Sequence, residues 1–114
     1  MSPEVVFHTV SPSVKNKGLK ESAYYDVNVD GTRLVLDACQ DARVRVFVYT
    51  SSSSVVWSGQ NLSGLNEDEI KIPEKPYAIY AHSKGLAEQM VCDFIFLSIT
   101  VMESGKLPWA HFRF

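Results

Sequence analysis

Apolar and polar positions along the chain divide it into alternating strand-like and helix-like stretches. Val5-Val6-Phe7 is a short β-rich run without alternation, which predicts a strand buried on both faces, as in a parallel sheet. Ser11 to Lys20 holds Pro12, Gly18 and several polar side chains and reads as a loop. From Glu21 to Ala42, the residues Tyr24, Val27, Gly31, Leu34, Val35, Ala38 and Ala42 recur at spacings of three and four, the stripe of an amphipathic helix. Asn28 interrupts that stripe, and a polar group there must find a partner or be used. Val44 to Tyr49 predicts a second strand, with Arg45 its only charge.

The serine run Ser51 to Ser54 follows that strand directly. Trp57 to Pro76, with Gly59, Gly64, Pro73 and an acidic patch at Glu67, Asp68 and Glu69, predicts a long surface loop, a length often tied to function. Tyr77 to Val91 is rich in strong helix formers and predicts the next helix. A last short strand is expected near Ala110 to Phe112. Strand, helix, strand, loop, helix is the order of an α/β fold, with a parallel sheet and helices packed on its faces.

Composition narrows the function classes. The chain has 114 residues and is 46% hydrophobic and 21% charged, one globular domain's worth of sequence. Eleven basic against 13 acidic residues give a net charge of −2, with no basic excess for nucleic acid or an anionic lipid surface. Cys39 and Cys92 make neither a disulfide framework nor a zinc spacing. His8, His82 and His111 are scattered, which argues against a metal site. Residues 92–102 are the most apolar stretch, but Asp93 and Ser98 interrupt it and a transmembrane helix needs roughly 20 apolar residues. The first nine residues lack the pattern of a secretory signal.

The chemistry concentrates in Tyr80-Ala-His-Ser-Lys84. Residues at i and i+4 share one face of a helix. An ammonium beside a phenol favours the phenolate, and a phenol brought below its usual pKa of about 10 becomes a useful general acid/base. Alone, this pairing also describes an ordinary surface pair. The serines after the second predicted strand add to it, because open parallel sheets bind ligands at the carboxyl ends of strands. Those serines could instead cap a polar turn, and Asn28 could be a satisfied core amide. His82 points about 200° around the helix from Tyr80, since each residue turns roughly 100°.

These features together resemble the extended short-chain dehydrogenases/reductases, and among them the 3β-hydroxysteroid dehydrogenase family. Residues 4–8 look like the family's fourth strand, and Tyr25 to Thr32 like its Asn-Val-x-Gly-Thr helix. Residues 43–52 fit the run into the catalytic serine, and Tyr80 to Lys84 with Leu86-Ala87-Glu88 fits the catalytic helix. Within the family, Tyr49 to Trp57 and Leu65 to Glu69 look most like the sterol-4α-carboxylate 3-dehydrogenases (decarboxylating). Sugar-nucleotide epimerases usually carry Tyr-Gly where this chain has Val56-Trp57.

The resemblance implies an NAD(P)-binding, Rossmann-like, doubly wound parallel sheet. It implies oxidation of the 3β-hydroxyl of a sterol or steroid, with NAD or NADP as cofactor. By the same resemblance Tyr80 is the proton acceptor, Lys84 tunes it and holds the nicotinamide ribose, Ser52 holds the substrate oxygen and Asn28 supports them. His8 and Thr50 would lie beside the cofactor. A homodimer through the helices carrying Asn28 and Tyr80 is implied, as is the cytoplasmic side of the endoplasmic reticulum membrane.

The family's glycine-rich phosphate-binding turn has no match among the six glycines, and residues 92–114 diverge from the family pattern. The expectation is therefore a partial domain that begins at the fourth strand, with the catalytic residues present and most of the adenine and pyrophosphate site missing. The alternatives are an inactive remnant that serves at most as an interaction module, or another extended dehydrogenase, such as an epimerase, a dehydratase or a dihydroflavonol-type reductase.

Overall fold

The structure is a computed structural model that describes residues 3–15, 17–59, 63–65, 69, 71–74 and 77–102, with 95–102 as backbone. The strand expected near residue 110 and the acidic patch except Glu69 lie outside the described residues. Strand β1 (Val5–His8) pairs in parallel with β2 (Val46–Tyr49), and Val6 faces Phe47 and His8 faces Tyr49 in the register. Between them run helix α1 (Glu21–Tyr25), a π-helical stretch at Asp26–Gly31 and helix α2 (Thr32–Asp41). A 3-10 turn (Ser53–Val56) follows β2, and helix α3 (Ile79–Met102) completes the order.

Strand alternation sets the core. Phe47 and Tyr49 point to one face of β2 and are buried against Leu36 and Cys39 of α2 and Ala87 and Val91 of α3. His8 is buried on the same face. The other face differs from the expectation of a strand buried on both sides: Val5 is 42% and Phe7 70% exposed. A continuous apolar run does suit a doubly covered strand, but among the described residues the helices cover one face only. Beside β1 an apolar groove of about 400 Å³ opens between Val6, Val44 and the Leu34, Val35 and Ala38 side of α2.

The turn from α2 into β2 closes as a Schellman motif. Arg43 N–H donates to Gln40 O at 3.1 Å and Val44 N–H to Cys39 O at 2.9 Å. That pattern needs a left-handed residue after the cap, and Arg43 takes it with φ at 53°. Val44 and Cys39 meet in the core, supplying the apolar contact that accompanies the motif.

Two expected helices come out differently. The stretch expected as one regular helix over Glu21–Ala42 widens into π geometry around Asn28, because spacing alone does not distinguish an α-turn from a π-turn. The helix expected over Tyr77–Val91 begins at Ile79 and its backbone continues to Met102. Gly85 faces Ile72 and Val55, and a Cβ there would meet them at the ordinary contact distances of 3.4 and 3.9 Å. Cys39 is buried and Cys92 half-buried, neither in a disulfide, and burial pushes the Cys39 thiol pKa up. Among the described residues no helix is long and apolar enough to cross a membrane.

Two substitutions test this packing by urea unfolding of the chain. Phe47→Ala empties a site with no solvent exposure and is expected to cost about 3–5 kcal/mol. Arg43→Gly relieves a left-handed backbone and is expected to raise stability by up to about 1 kcal/mol. A loss of stability on Arg43→Gly would show that the arginine side chain outweighs its backbone cost.

Candidate active site

The carboxyl ends of β1 and β2 meet the first turns of α3. Thr50, the residue after β2, donates its N–H to His8 O at 3.1 Å, which extends the parallel ladder by one rung. Its carbonyl accepts the Lys84 ammonium at 2.6 Å. Lys84 is only 2% exposed, and its Nζ lies 4.4 Å from the centre of the Tyr49 ring. Burial lowers the Lys84 pKa, and the nearby Glu88 opposes that shift. Tyr49 moves the other way: burial, then the negative Glu88, then Tyr80 push its phenol far up, so it stays protonated at all ordinary pH.

Tyr80 lies one helical turn before Lys84 and is half-buried, its ring edge-on to Tyr24 at 6.3 Å between centroids. A chain of hydrogen bonds holds its backbone. Asn28 Nδ2 donates to Ser83 Oγ at 2.8 Å, and the Ser83 hydroxyl donates to Tyr80 O at 2.9 Å. Asn28 is 1% exposed, so the polar residue that interrupts the apolar stripe spans the gap between the π-helical stretch and α3. Among the described residues its Oδ1 has no hydrogen-bond partner.

A second chain starts at the same residue. The Thr32 hydroxyl donates its single proton to Asn28 O at 2.6 Å. The His8 Nε2···Thr32 Oγ1 contact of 2.8 Å must therefore be donated by Nε2–H. Burial and then the Lys84 charge lower the His8 pKa, so the ring is neutral, with its proton on Nε2. This places His8 as a fixed donor in the wall of the site.

The serine run splits into different environments. Ser51 is buried and its hydroxyl donates to Glu88 of α3. Ser52 is half-buried, shares a 2.8 Å contact with the Ser54 hydroxyl and caps the 3-10 turn, accepting from Ser54 N–H at 3.3 Å. The structure thus brings Asn28, Tyr80, Lys84, Thr50 and His8 into one bonded neighbourhood, with Ser52 two residues beyond the carbonyl that holds Lys84. His82 lies away from this cluster, its Nδ1 2.7 Å from Tyr25 OH, in line with its angle around the helix. The sequence reading assigned no role to Ser51, Thr32, Ser83 or Glu88. Glu88 carried a signal: a carboxylate four residues after Lys84, on a helix face that otherwise meets the core. Among the described residues no group of three His, Cys, Asp or Glu is placed to hold a metal.

The family model of the 3-beta hydroxysteroid dehydrogenase/isomerase family matches residues 2–94. The chain belongs to that family. The sterol-4-alpha-carboxylate 3-dehydrogenase, decarboxylating, of Schizosaccharomyces pombe is 45% identical over 91 residues, covering 80% of this chain and 26% of that protein. Its counterpart in Saccharomyces cerevisiae is 43% identical over 88 residues, covering 76% and 24%. Among solved structures, MoeE5 in complex with UDP-glucose and NAD superposes with a TM-score of 0.71 at 27% identity, over 96% of this chain and 33% of that one. The chain therefore spans about a quarter of the length of these curated relatives and has the Rossmann-like α/β fold of NAD-bound neighbours.

The His8 environment makes stability depend on pH with a definite sign. A histidine whose folded pKa lies below its unfolded value of about 6.5 takes up its proton more readily when unfolded. Stability is then fully present above about pH 6.5 and declines as the pH falls through it. Urea midpoints measured from pH 7.5 to 5 are expected to fall in the wild type and to fall less in His8→Asn. Equal slopes in the two proteins would show that His8 is not the group responsible.

Proposed function

We propose that this chain carries the catalytic residues of an NAD(P)-dependent dehydrogenase that oxidises the 3β-hydroxyl of a sterol 4-carboxylate. The observation that carries this reading is the Lys84 ammonium, buried one helical turn from Tyr80 and fixed at the carboxyl end of β2 by the Thr50 carbonyl. Open α/β sheets bind ligands at that end of their strands.

The donor set suits the nicotinamide-ribose end of a dinucleotide. Lys84 has three N–H donors and gives one to Thr50 O, which leaves donors for sugar hydroxyls. His8 and Thr50, joined across the strand ends, would flank the same end. The sequence has no glycine-rich turn between a strand and a helix, so the reading assigns the pyrophosphate to no residue of this chain. A nicotinamide dinucleotide, when bound, supplies the hydride acceptor.

Each residue then has a defined task. Tyr80 Oη takes the proton of the sterol hydroxyl, and the Lys84 charge stabilises the phenolate that makes this possible. Ser52 donates to the substrate oxygen: Ser51 is committed to Glu88, which makes Ser52 the first hydroxyl of the run that reaches solvent. Asn28 acts through Ser83 on the Tyr80 backbone and keeps the first turn of α3 in place. The product is a β-keto acid, which loses carbon dioxide without further catalytic groups. The relatives' names support a 4-carboxysterol, and Val56-Trp57 argues against a sugar nucleotide.

The test is a chimera in which residues 2–94 replace the matching segment of the Schizosaccharomyces pombe relative. It is assayed for NAD(P)H formation and carbon dioxide release from a 4-carboxysterol. Tyr80→Phe is expected to lower kcat by about 10²–10⁴ while cofactor binding survives. Lys84→Ala is expected to damage both, and Ser52→Ala to cost less than Tyr80→Phe. Near-normal turnover in Tyr80→Phe would overturn the mechanism.

A further inference from the structure

Two consecutive residues at the end of β2 are gripped by two residues of α3 that lie one turn apart. Thr50 O takes the Lys84 ammonium, and the Ser51 hydroxyl donates to the Glu88 carboxylate. All four groups are withdrawn from water to different degrees, and Glu88, with no exposed surface, is withdrawn most completely. A carboxylate placed there is costly unless it is hydrogen-bonded and offset by an opposite charge. The serine supplies the first. The ammonium at i−4, on the same helical face, supplies the second.

We propose that Glu88 is the positioning residue of this site: its carboxylate pins Ser51 at the head of the serine turn and serves as the internal counter-charge of Lys84. The proposal rests on the reading of Lys84 as a site residue, but its physical content does not require turnover. Pinning Ser51 fixes where the chain leaves β2, and the next residue, Ser52, caps the 3-10 turn. Among the described residues, the titratable groups around the ammonium are Glu88 on α3, the Tyr49 ring on β2 and the neutral His8 on β1, with Tyr80 one helical turn away. Glu88 is the one that opposes the effect of burial on Lys84. Without it, a buried lysine would shed its proton at lower pH.

The test follows the Lys84 side chain directly, by the 13Cε and 15Nζ shifts of the isotope-labelled 114-residue chain against pH, with the signal assigned by its loss in Lys84→Arg. Glu88→Gln keeps the size of the side chain and an oxygen that can accept from Ser51, but removes the charge. It is expected to lower the Lys84 midpoint by about one pH unit or more. Ser51→Ala removes the tether and keeps the charge, so Lys84 should titrate close to the wild type while the amide signals of Ser52 to Val56 shift. Glu88→Asp, which restores the charge, should recover most of the midpoint even if Glu88→Gln folds poorly. An unchanged midpoint in folded Glu88→Gln, or no recovery in Glu88→Asp, would overturn the proposal. Loss of sterol oxidation in the chimera would leave this titration untouched, so the two readings fail separately.

Discussion

A buried ammonium is the constraint around which this chain is arranged. Lys84 has almost no contact with water, a position that costs several kcal/mol unless its charge is answered. The Thr50 carbonyl answers it first, and that carbonyl is available because β2 ends there, one rung past its pairing with β1. The Tyr49 ring lies beneath the charge and Glu88 one turn behind it. Moving α3 along its axis by one residue would turn Lys84 by roughly 100° away from the strand end. The register of the helix against the sheet is therefore set by polar groups as much as by Phe47, Ala87 and Val91 in the core.

The same logic explains the π-helical stretch. In a regular α-helix, Asn28 would lie on the apolar stripe between Tyr24 and Gly31 with its amide facing hydrocarbon. Widening the turn accompanies a placement in which the amide bonds Ser83 and the Asn28 carbonyl bonds Thr32. One residue thereby connects β1, through Thr32 and His8, to the first turn of α3, through Ser83 and the Tyr80 backbone. π-Turns inside helices are often found at functional sites, and here the reason is visible as hydrogen bonds.

What could be read in the sequence followed from period and composition. Both strands, their parallel order and the two helical regions were legible because β-rich runs and three-four spacing are local signals. The Tyr80–Lys84 pair was legible because i and i+4 share a face. The π-turn was not, since its apolar spacing is that of an α-helix. The exposed face of β1 was misread because an unbroken apolar run reports what a strand can bury, and the described elements cover one side only. Residues of the serine run could be ranked only by resemblance. Their sorting into a buried Ser51 and a half-buried Ser52 depends on Glu88, 37 positions away from Ser51, and pairing at that distance has no local signature.

The site also shows a gradient from inside to outside that bears on how it would work. Glu88, Lys84, Ser83 and Asn28 are buried and carry the charges and bonds that hold the frame. Tyr80 and Ser52, the two groups assigned to the reacting oxygen, are half-buried at its rim. Burial disfavours a charge, and an internal partner such as Glu88 opposes that cost more strongly where water is excluded. A group that exchanges a proton with a substrate must be reached by it, and a fully buried phenol such as Tyr49 is pushed too high to ionise. Two tyrosines near one lysine thus stand differently. Tyr49 lies under the ammonium as a permanently neutral ring, whereas Tyr80, one helical turn before Lys84, is half-buried at the rim. Of the two phenols, only the one at the rim can be met by a substrate, which is why the proton transfer is assigned to Tyr80 and the packing beneath the charge to Tyr49.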